Sequence, residues 1–547
     1  MQKLPLLLLL FPVFIAAQPK VSRTEAFKSS DDIWVSGFWR EPGTGNILML
    51  YYTLDKVVTF NTKEGFKSRW VIDRFGSDLK QIKAGKMQKP KFPDGEEVGN
   101  GCLVILDGKP NLLCYHFEEK AQKTSIYRFA IDAGDNFGKP ELLGALENKS
   151  EYFLYPRLYY SPDSSYVLLS QKTNIDDKFE ATGYMLLDRN LKVVRQGKLP
   201  IPGSPQDFVY LFGEPLVDTD GSIWMPVWTK EKKKKKDKRK DSEFMVSQEV
   251  WVWRRADAQP RRINLQLSDE KLITGVSLRQ SGNLIYAAGL YAANTEYARY
   301  AIYWRQGTED DSHPEQGSFL LKLDAASGSI NSRFESPFRE STLQYWDKKA
   351  KDIAKNGGID HLIPNSVSIL PDGSAWLTCE EYYYQTAGGS TIVGASSVIT
   401  PEGFPRTGPI LAILYNASGE VIRELTVGRR STAVGHTGFF FEANENGLLF
   451  LYNDNEDNLN PKIDKAKDLK SSRIPNSRVG IPRPQHDACA VMCHVDKNGK
   501  KSMKNLFTFR EADYWLDPIR YIKIEAGAFI FACEGRNGRY GLLRMDW

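Results

Sequence analysis

Covalent crosslinks and charge are scarce in this sequence. Six cysteines among 547 residues are too few for the disulfide framework of a small exported domain. The net charge of +5 comes from the segment 230–241, in which eight Lys and one Arg stand against three acidic residues, a net of +6. The rest of the chain is therefore close to neutral, which excludes binding of nucleic acid through overall charge.

Long apolar runs and enzyme fingerprints are also missing. After the N-terminal segment, no stretch is long and apolar enough to cross a bilayer. No Gly-x-Ser-x-Gly elbow, Walker loop or dinucleotide-binding fingerprint occurs in a suitable strand–helix context. The mature chain is therefore predicted to have no transmembrane segment, and these motifs assign it to no enzyme class.

Residues 1–17 have the layout of a secretory signal peptide. Lys3 supplies one positive charge, Leu4–Ile15 form a short apolar core, and Ala16-Ala17 are the small residues before a predicted cleavage site. No cysteine follows them, so a lipoprotein-type anchor is not supported. We expect the protein to be exported to the periplasm or the cell exterior.

One phrase recurs along the chain: an apolar strand, a turn built on Asp or Asn with Gly, and a second apolar strand. It occurs at Val217–Trp224, Leu370–Trp376, Tyr415–Ile422 and Val495–Gly499. Asp-Gly and Asn-Gly tolerate the positive φ angles of tight turns, so each phrase predicts a β-hairpin. Repeated hairpins predict an all-β fold, a β-propeller of six to eight blades, with seven as the best estimate.

The predicted domain organisation is one propeller over residues 18–547 with two insertions. Residues 230–241 form a solvated basic loop, because charge runs of this kind do not pack in a core. Residues 341–356 are rich in helix formers and end before Gly357-Gly358, which predicts one amphipathic surface helix. Either Ile33–Trp39 or Ile47–Tyr52 is expected to close the ring by pairing with the last blade.

A series of motifs runs in order from about residue 335 to the C-terminus. They are Gly358–Leu362, Ser374–Tyr383, Val427–Arg430 and Leu449–Leu459. In this order they resemble a family of uncharacterised exported proteins found in Bacteroidota, which has Glu-x-Tyr-Tyr and Phe-Asn-Asp-x-x-x-Asn-Leu elements at these places. Tyr452 stands where that family tends to have Phe. The resemblance implies a β-propeller-like fold and carries no activity to transfer.

Glu380 and Glu381, followed by Tyr382 and Tyr383, form the densest candidate site. Paired carboxylates can act as general acid and base, and aromatic rings suit sugar rings. Adjacent strand residues face opposite sides of a sheet, so the two glutamates are not expected to line one site. A structural role at a strand end stays open beside binding by Glu380, Tyr382 and Tyr383.

A second group of oxygen ligands follows a predicted strand at Asn453–Asn458. Asn453, Asp454 and Asn458 are candidate binding residues, and alternate positions Asp454, Glu456 and Asn458 suggest a weak calcium site. The glycine and the distal glutamate of an EF-hand loop are missing, and Asx-rich turns commonly bond their own backbone. We therefore predict no cofactor, and calcium is the one alternative.

Histidines and cysteines give three further hypotheses. His436 lies in a Gly-flanked loop and is a candidate binding residue. His486, Cys489, Cys493 and His494 look like zinc ligands, but strand alternation separates them, so buried strand cysteines are the better interpretation.

Cys102 and Cys114 flank Asp107-Gly108-Lys109 in the sequence. A three-residue turn there would place them opposite each other, where a cross-strand disulfide could form. Two buried free thiols on neighbouring strands are the alternative.

Three functions are compatible with these features of the sequence. The first is a binding or scaffold propeller of the cell envelope with a protein or glycan partner. The second is a glycan-acting hydrolase or lyase at the mouth of the propeller channel. The third is an adaptor that touches anionic membrane surfaces through Lys230–Lys240. The first is favoured, because no catalytic set can be assembled from the sequence.

Overall fold

A computed structural model describes most of the chain beyond the predicted signal peptide. The described residues are 19–29, 33–54, 68–106, 108–147, 156–175, 178–199, 208–231, 244–257, 259–268, 270–294, 314–349, 351, 355, 357–385, 404–433, 438–445, 447–460, 462–474, 487–535 and 539–547. Within them the chain forms 36 strands and very little helix. The predicted all-β class is therefore confirmed.

The first half of the chain forms two short strands and four sheets. The short strands are β1 (Lys20–Arg23) and β2 (Phe27–Lys28). Blade 1 contains β3 (Ile33–Arg40), β4 (Ile47–Leu54), β5 (Ser68–Phe75) and β6 (Gln81–Lys83). Blade 2 contains β7 (Gly101–Leu106), β8 (Lys109–Glu118), β9 (Lys123–Ala130) and β10 (Glu141–Glu147). Blade 3 contains β11 (Arg157–Tyr160), β12 (Tyr166–Ile175), β13 (Lys178–Asp188) and β14 (Val193–Lys198). Blade 4 contains β15 (Phe208–Phe212), β16 (Leu216–Val217), β17 (Ile223–Glu231), β18 (Phe244–Trp253) and β19 (Arg261–Asn264).

The second half forms four more sheets. Blade 5 contains β20 (Lys271–Ser281), β21 (Leu284–Ala293), β22 (Glu315–Asp324) and β23 (Ile330–Pro337). Blade 6 contains β24 (Leu362–Ile369), β25 (Ala375–Gln385), β26 (Phe404–Tyr415) and β27 (Val421–Val427), extended by β28 (Ser431–Ala433) and later by β31 (Ser472–Ile474). Blade 7 contains β29 (Phe440–Asn444), β30 (Gly447–Asn455), β32 (Ala488–Asp496) and β33 (Lys501–Thr508). Blade 8 contains β34 (Tyr514–Glu525), β35 (Ala528–Gly535) and β36 (Arg539–Asp546).

These sheets make an eight-bladed β-propeller. Each blade is built on antiparallel strands in chain order, and blade 6 carries in addition a parallel pair of β28 and β31. The predicted range of six to eight blades includes this number, and the best estimate of seven is one blade short. The missing blade is blade 1, because Ile33–Trp39 and Ile47–Tyr52 belong to β3 and β4 and not to a closing strand.

The N-terminal strands close the ring. β1 pairs with β36, from Lys20 opposite Asp546 to Arg23 opposite Leu543, and so becomes the fourth strand of blade 8. Thr24 follows the pair, and its hydroxyl accepts a hydrogen bond from Leu542 N at 3.0 Å. The closing strand is therefore more N-terminal than predicted, because a short polar strand carries no alternation signal.

The hydrophobic core is divided into the spaces between neighbouring blades. Eight of its buried clusters each combine residues of two consecutive sheets, including the pair formed by blades 8 and 1. In that pair, Ile530 and Leu542 of blade 8 pack with Ile47 and Met49 of blade 1. Each sheet is therefore buried on both faces, which explains the near-continuous apolar runs in the second strands.

The order of pairing sorts the connections onto two faces. Antiparallel strands in chain order place the first-to-second and third-to-fourth turns at one end of every blade. We call this end the hairpin face; it contains 218–222, 370–374, 416–420 and 496–500. The other end, the loop face, contains the second-to-third and blade-to-blade connections, including 338–349, 428–430 and 456–471. All four recurring Asp/Asn-Gly phrases lie on the hairpin face.

The turn at Asp218 shows why the recurring phrase specifies a hairpin. One carboxylate oxygen of Asp218 accepts hydrogen bonds from Asp220 N at 3.0 Å and Ser222 N at 2.8 Å. The other accepts one from Trp224 Nε1 at 2.8 Å. Gly221 supplies the positive φ of +78°. Because Asp218 is 3% exposed and Trp224 lies in the cluster between blades 4 and 5, this carboxylate joins the turn to that core.

The two predicted insertions are only partly as expected. The described part of 341–356 begins with helix α1 (Glu340–Tyr345), and Asp347 at φ +59° interrupts the helix before Lys351, which is helical again. The prediction of one continuous helix over 341–356 is therefore wrong. Most of the basic segment 230–241 lies outside the described residues, although Lys230 and Glu231 still belong to β17.

The remaining helical elements are short. They are α2 (Phe509–Ala512) and the 3₁₀ turns Glu119–Ala121, Glu456–Leu459 and Ala466–Asp468. Among the described residues, no helix has the length and apolarity that a membrane crossing requires.

We expect Asp218→Ala to lower the free energy of unfolding by about 2–5 kcal/mol, since each buried N–H group left without an acceptor costs about 1–3 kcal/mol. The matched control is Asp496→Ala, which removes the same kind of turn contacts, to Asn498 N and Lys500 N, at an exposed hairpin without a tryptophan. Urea-induced unfolding measures both losses. Equal losses in the two variants would contradict this role of Asp218.

Candidate functional site

The predicted binding residues that the structure describes gather in blades 6 and 7. Glu380, Tyr382 and Tyr383 lie near the end of β25, and Asn453 and Asp454 near the end of β30. Asn458 follows in the 3₁₀ turn. Second strands end at the loop face, so these residues share one end of the propeller. His436 lies outside the described residues.

A buried arginine joins the two strands. Arg429 follows β27 in the connection to blade 7 and is 1% exposed. Its Nη1 lies 3.4 Å from Glu380 Oε2. The guanidinium also lies 5.9 Å from the ring centres of Phe439 and Tyr452. Arg429 thus connects a carboxylate of blade 6 to the aromatic core of blade 7.

Several polar atoms around Arg429 keep unused hydrogen-bonding capacity. The contact between Arg429 and Glu380 is close enough for an ion pair but lacks hydrogen-bond geometry, since Glu380 Oε2 and Arg429 Nε and Nη1 have no hydrogen-bond partner. Asp454 Oδ2 and Ser472 Oγ are buried and unpartnered as well. We call Glu380, Arg429, Asp454 and Ser472 the Arg429 cluster. Buried polar groups are normally paired, so this concentration requires a functional or structural reason.

The acids of the Arg429 cluster hold their protons more tightly than exposed carboxyls. Burial raises the pKa of Asp454 to about 7, although hydrogen bonds from Arg430 N and Asn458 favour the ionised form. Burial also raises the pKa of Glu380, and the charge of Arg429 opposes that shift. The cluster therefore contains a carboxyl group that can exchange a proton near neutral pH.

Two loop-face segments cover the Arg429 cluster. The segment after α1 meets the segment after β30 through Lys467 Nζ, which lies 2.8 Å from Asp347 Oδ2. Arg430 Nη1 donates to Leu469 O at 3.3 Å, and Asn458 Nδ2 donates to Lys470 O at 2.7 Å. We call 340–349 and 456–471 the cap. The cap explains why Asp454 is fully buried although it lies at a strand end.

Aromatic side chains line the edge of the cap. Trp346 Nε1 donates a hydrogen bond to Glu381 at 3.0 Å. The His361 and Tyr383 rings stack with centres 5.1 Å apart and planes 30° from parallel. His361 has a φ of +60°, an uncommon conformation for a non-glycine residue. We call Trp346, His361 and Tyr383 the aromatic patch.

A β-bulge changes the relation predicted for the two glutamates. The pairing of β25 with β26 shifts register between Glu380 and Tyr382, so simple alternation does not continue through Glu381. Burial raises the pKa of Glu381, while the Trp346 hydrogen bond and the charge of Arg430 oppose it. The consecutive acids therefore interact with the consecutive residues Arg429 and Arg430, a proximity that alternation alone did not predict.

The calcium hypothesis stays a prediction, and its candidate ligands have other hydrogen-bond partners in this arrangement. Asn458 donates its amide N–H to Asp454 Oδ1 at 2.9 Å, while Asp454 Oδ2 has no hydrogen-bond partner. Glu456 is exposed and accepts a hydrogen bond from Asn505 at 3.0 Å. Asn453 donates to Leu516 O at 2.7 Å and links blade 7 to blade 8. These contacts are those of a capped Asx-rich turn, the alternative stated above.

The structure also shows where the strand cysteines of the zinc hypothesis lie. Cys489 and Cys493 are buried in one cluster between blades 6 and 7, while His494 contacts the Trp547 ring instead. This confirms buried strand cysteines, with His486 outside the described residues.

Cys102 pairs with Leu113 and Cys114 with Gly101, because the turn is one residue shorter than predicted. Both are free thiols, so the predicted disulfide is not formed.

Sequence reasoning missed the residue at the centre of the site. Arg429 lies in the quoted motif Val427–Arg430, but a basic pair after a strand usually indicates an exposed turn. Trp346 was part of the predicted surface helix and His361 of the quoted motif Gly358–Leu362, and nothing in their spacing linked them to β25. A signal existed in the concentration of charged and aromatic residues on loop-face segments of blades 5 to 7.

Comparison with known proteins finds solved propeller structures of low similarity. The propeller of Dos1 matches with a TM-score of 0.40 and 10% identity over 96% of this chain and 94% of that one. Porphyromonas gingivalis dipeptidyl peptidase 4 matches with 0.41 and 9% over 91% and 56%, and the polysaccharide lyase Uly1 with 0.33 and 12% over 71% and 78%. No protein-family model and no curated protein matches the sequence. The likeness concerns the propeller fold alone.

The raised pKa of Asp454 predicts a pH-dependent stability. An exposed aspartate titrates near pKa 3.9, so the folded protein binds this proton more tightly than the unfolded chain. The stability from Asp454 is present at low pH and is lost as pH rises toward 7. We expect Asp454→Asn to become more stable relative to the native chain between pH 4 and pH 8, each pKa unit being worth about 1.4 kcal/mol.

Urea unfolding at both pH values measures this difference. The control is Asp457→Asn, an exposed acid in the following turn. A stability difference for Asp454→Asn that does not change with pH would show that this carboxyl is not the buried titrating group.

Proposed function

We propose that the protein is an exported binding propeller that recognises a glycan on the loop face of blades 6 and 7. The proposal is carried by the aromatic patch at the edge of the cap, beside the Arg429 cluster. Aromatic faces with a few oriented polar groups suit polar ring ligands. The half-buried Trp346 and His361 supply the faces, the buried Tyr383 ring supports His361 from behind, and Glu381 and Arg430 are charged groups close to them.

The backbone of His361 supports binding rather than a structural role alone. A histidine at φ +60° stores strain on the order of 1–3 kcal/mol, which a glycine would avoid. Tyr382 N donates to His361 O at 3.0 Å and fixes this conformation. The strained backbone presents the imidazole against Tyr383 at the loop face. Strained backbone conformations of this kind cluster at functional sites.

The distribution of exposed apolar side chains favours a glycan over a protein partner. Among the described residues, the large exposed hydrophobics do not lie on the loop face of blades 6 and 7. They are Ile82, Met87, Leu142, Tyr160, Ile422, Ile519 and Tyr521. A protein-docking rim usually presents a contiguous apolar patch. The loop face of blades 6 and 7 presents aromatic rings among charges instead.

A glycan-acting enzyme is the second candidate. Glu380 and Asp454 both have a raised pKa and both lie close to Arg429, the arrangement that proton transfer requires. Their burial opposes this function, because a substrate would have to displace the cap to reach Asp454. Release of new reducing ends or unsaturated sugars by the purified protein would favour the enzyme over the binding propeller.

Membrane contact through Lys230–Lys240 stays a prediction. Lys230 and Glu231 end β17 at the loop face, and the rest of the segment lies outside the described residues. A contact there would orient the same face toward an anionic surface.

The proposal predicts which variants lose glycan binding. The mature chain is passed over immobilised cell-envelope polysaccharides, and the affinity of the retained one is measured by calorimetry. We expect Trp346→Leu and His361→Asn to weaken binding by about tenfold or more, since a stacking or hydrogen-bonding anchor contributes about 1–2 kcal/mol or more. Asparagine tolerates positive φ, so His361→Asn removes the ring without adding backbone strain.

The control is Tyr160→Ala, which removes an exposed tyrosine next to a hairpin-face turn of blade 3. It should bind as the native chain does. Retention of no polysaccharide by the native chain, or equal affinity in all four proteins, would contradict the proposal.

A further inference from the structure

A histidine and two acids meet on the loop face of blade 2, four blades away from the aromatic patch. His116 lies near the end of β8 and is largely buried. Asp94 and Glu96 come from the connection between blades 1 and 2 and are exposed. His116 Nε2 is 3.1 Å from Asp94 Oδ2, and its Nδ1 is 3.6 Å from Glu96 Oε2.

The three side chains are held in place by their surroundings. The imidazole packs against the Phe92 ring, with centres 4.6 Å apart. The turn carrying the acids is closed by Phe92 N donating to Glu96 O at 2.9 Å. Glu96 N donates to Asp94 Oδ1 at 3.0 Å, which leaves Oδ2 directed at the histidine. The arrangement is therefore organised by contacts that do not involve the histidine nitrogens.

The two carboxylates that flank one imidazole favour an added positive charge, either a second proton on the ring or a bound cation. A neutral imidazole has one N–H, so one of the two carboxylates would face a nitrogen lone pair. A cation bound to that nitrogen removes the repulsion, and the second carboxylate can turn from the N–H of the other nitrogen toward the same ion. One ligand atom from each of the three residues lies within 4.8 Å of the others, and the exposed carboxylates can rotate to shorten these distances.

We propose that Asp94, Glu96 and His116 bind a zinc ion. Imidazole nitrogen with carboxylate oxygen suits Zn²⁺ better than Ca²⁺ or Mg²⁺, which prefer oxygen ligands alone. Three protein ligands leave one tetrahedral position for water or for a donor atom of a ligand. The zinc site is built from residues of blades 1 and 2 alone, so its test is independent of the glycan proposal.

Zinc titration of the mature chain tests the site. The protein carries a tag without histidine, is treated with chelator and dialysed, and is titrated with Zn²⁺ in a calorimeter. We expect one equivalent to bind in the native chain. His116→Gln and Asp94→Asn should weaken this binding by more than about tenfold, since even outer-sphere partners of a metal contribute 10–100-fold. Asparagine keeps the acceptor for Glu96 N, so Asp94→Asn leaves the turn intact.

The matched control is His494→Gln, which removes another partly buried histidine and should leave zinc binding unchanged. Co²⁺ absorption bands that vanish in His116→Gln would support a nitrogen ligand at this place. The proposal is overturned if the native chain binds no zinc at millimolar concentration, or if His116→Gln and Asp94→Asn bind zinc as the native chain does. Calcium binding that equals zinc binding and survives His116→Gln would also overturn it.

Discussion

Antiparallel pairing between β1 and β36 joins the two ends of the chain in blade 8, and the remaining seams depend on that junction. Without β1, the third strand β36 would be the edge of blade 8 and would expose unpaired backbone groups. Blade 8 takes its first three strands from the C-terminus and its fourth from the N-terminus. Ile530 and Leu542 can then pack against blade 1, as every other pair of neighbouring sheets does.

Ring closure also explains where chemistry is concentrated. The Asp/Asn-Gly turns of the hairpin face are short and bonded to their own backbone, as Asp218 shows. Insertions are accommodated at the loop face, where they add the cap, the aromatic patch and the turn that carries Asp94. A rigid scaffold with variable loops at one end is the common arrangement of binding sites. The Arg429 cluster lies where this variable layer meets the scaffold.

Much of the fold was predictable, because Asp/Asn-Gly turns and strand alternation are local signals. Alternation correctly separated Cys489 and Cys493 from His494. It did not account for Glu380 and Glu381, because a bulge is not visible in sequence. Arg429 and His116 were missed, because their partners lie on other blades or connections. Contacts of this kind are determined by long-range packing. The eighth blade was missed because a short polar strand, Lys20–Arg23, performs the closure.

The most direct measurement compares the chain beginning at Gln18 with one beginning at Ser29, which lacks β1 and β2. Removing the closing strand breaks the backbone hydrogen bonds to β36 and those around Thr24, each contributing about 1 kcal/mol. We expect the shorter chain to unfold at a lower urea concentration and with lower cooperativity, and to lose the native near-ultraviolet spectrum first. Identical unfolding curves for the two chains would contradict closure of the ring by the N-terminal strand.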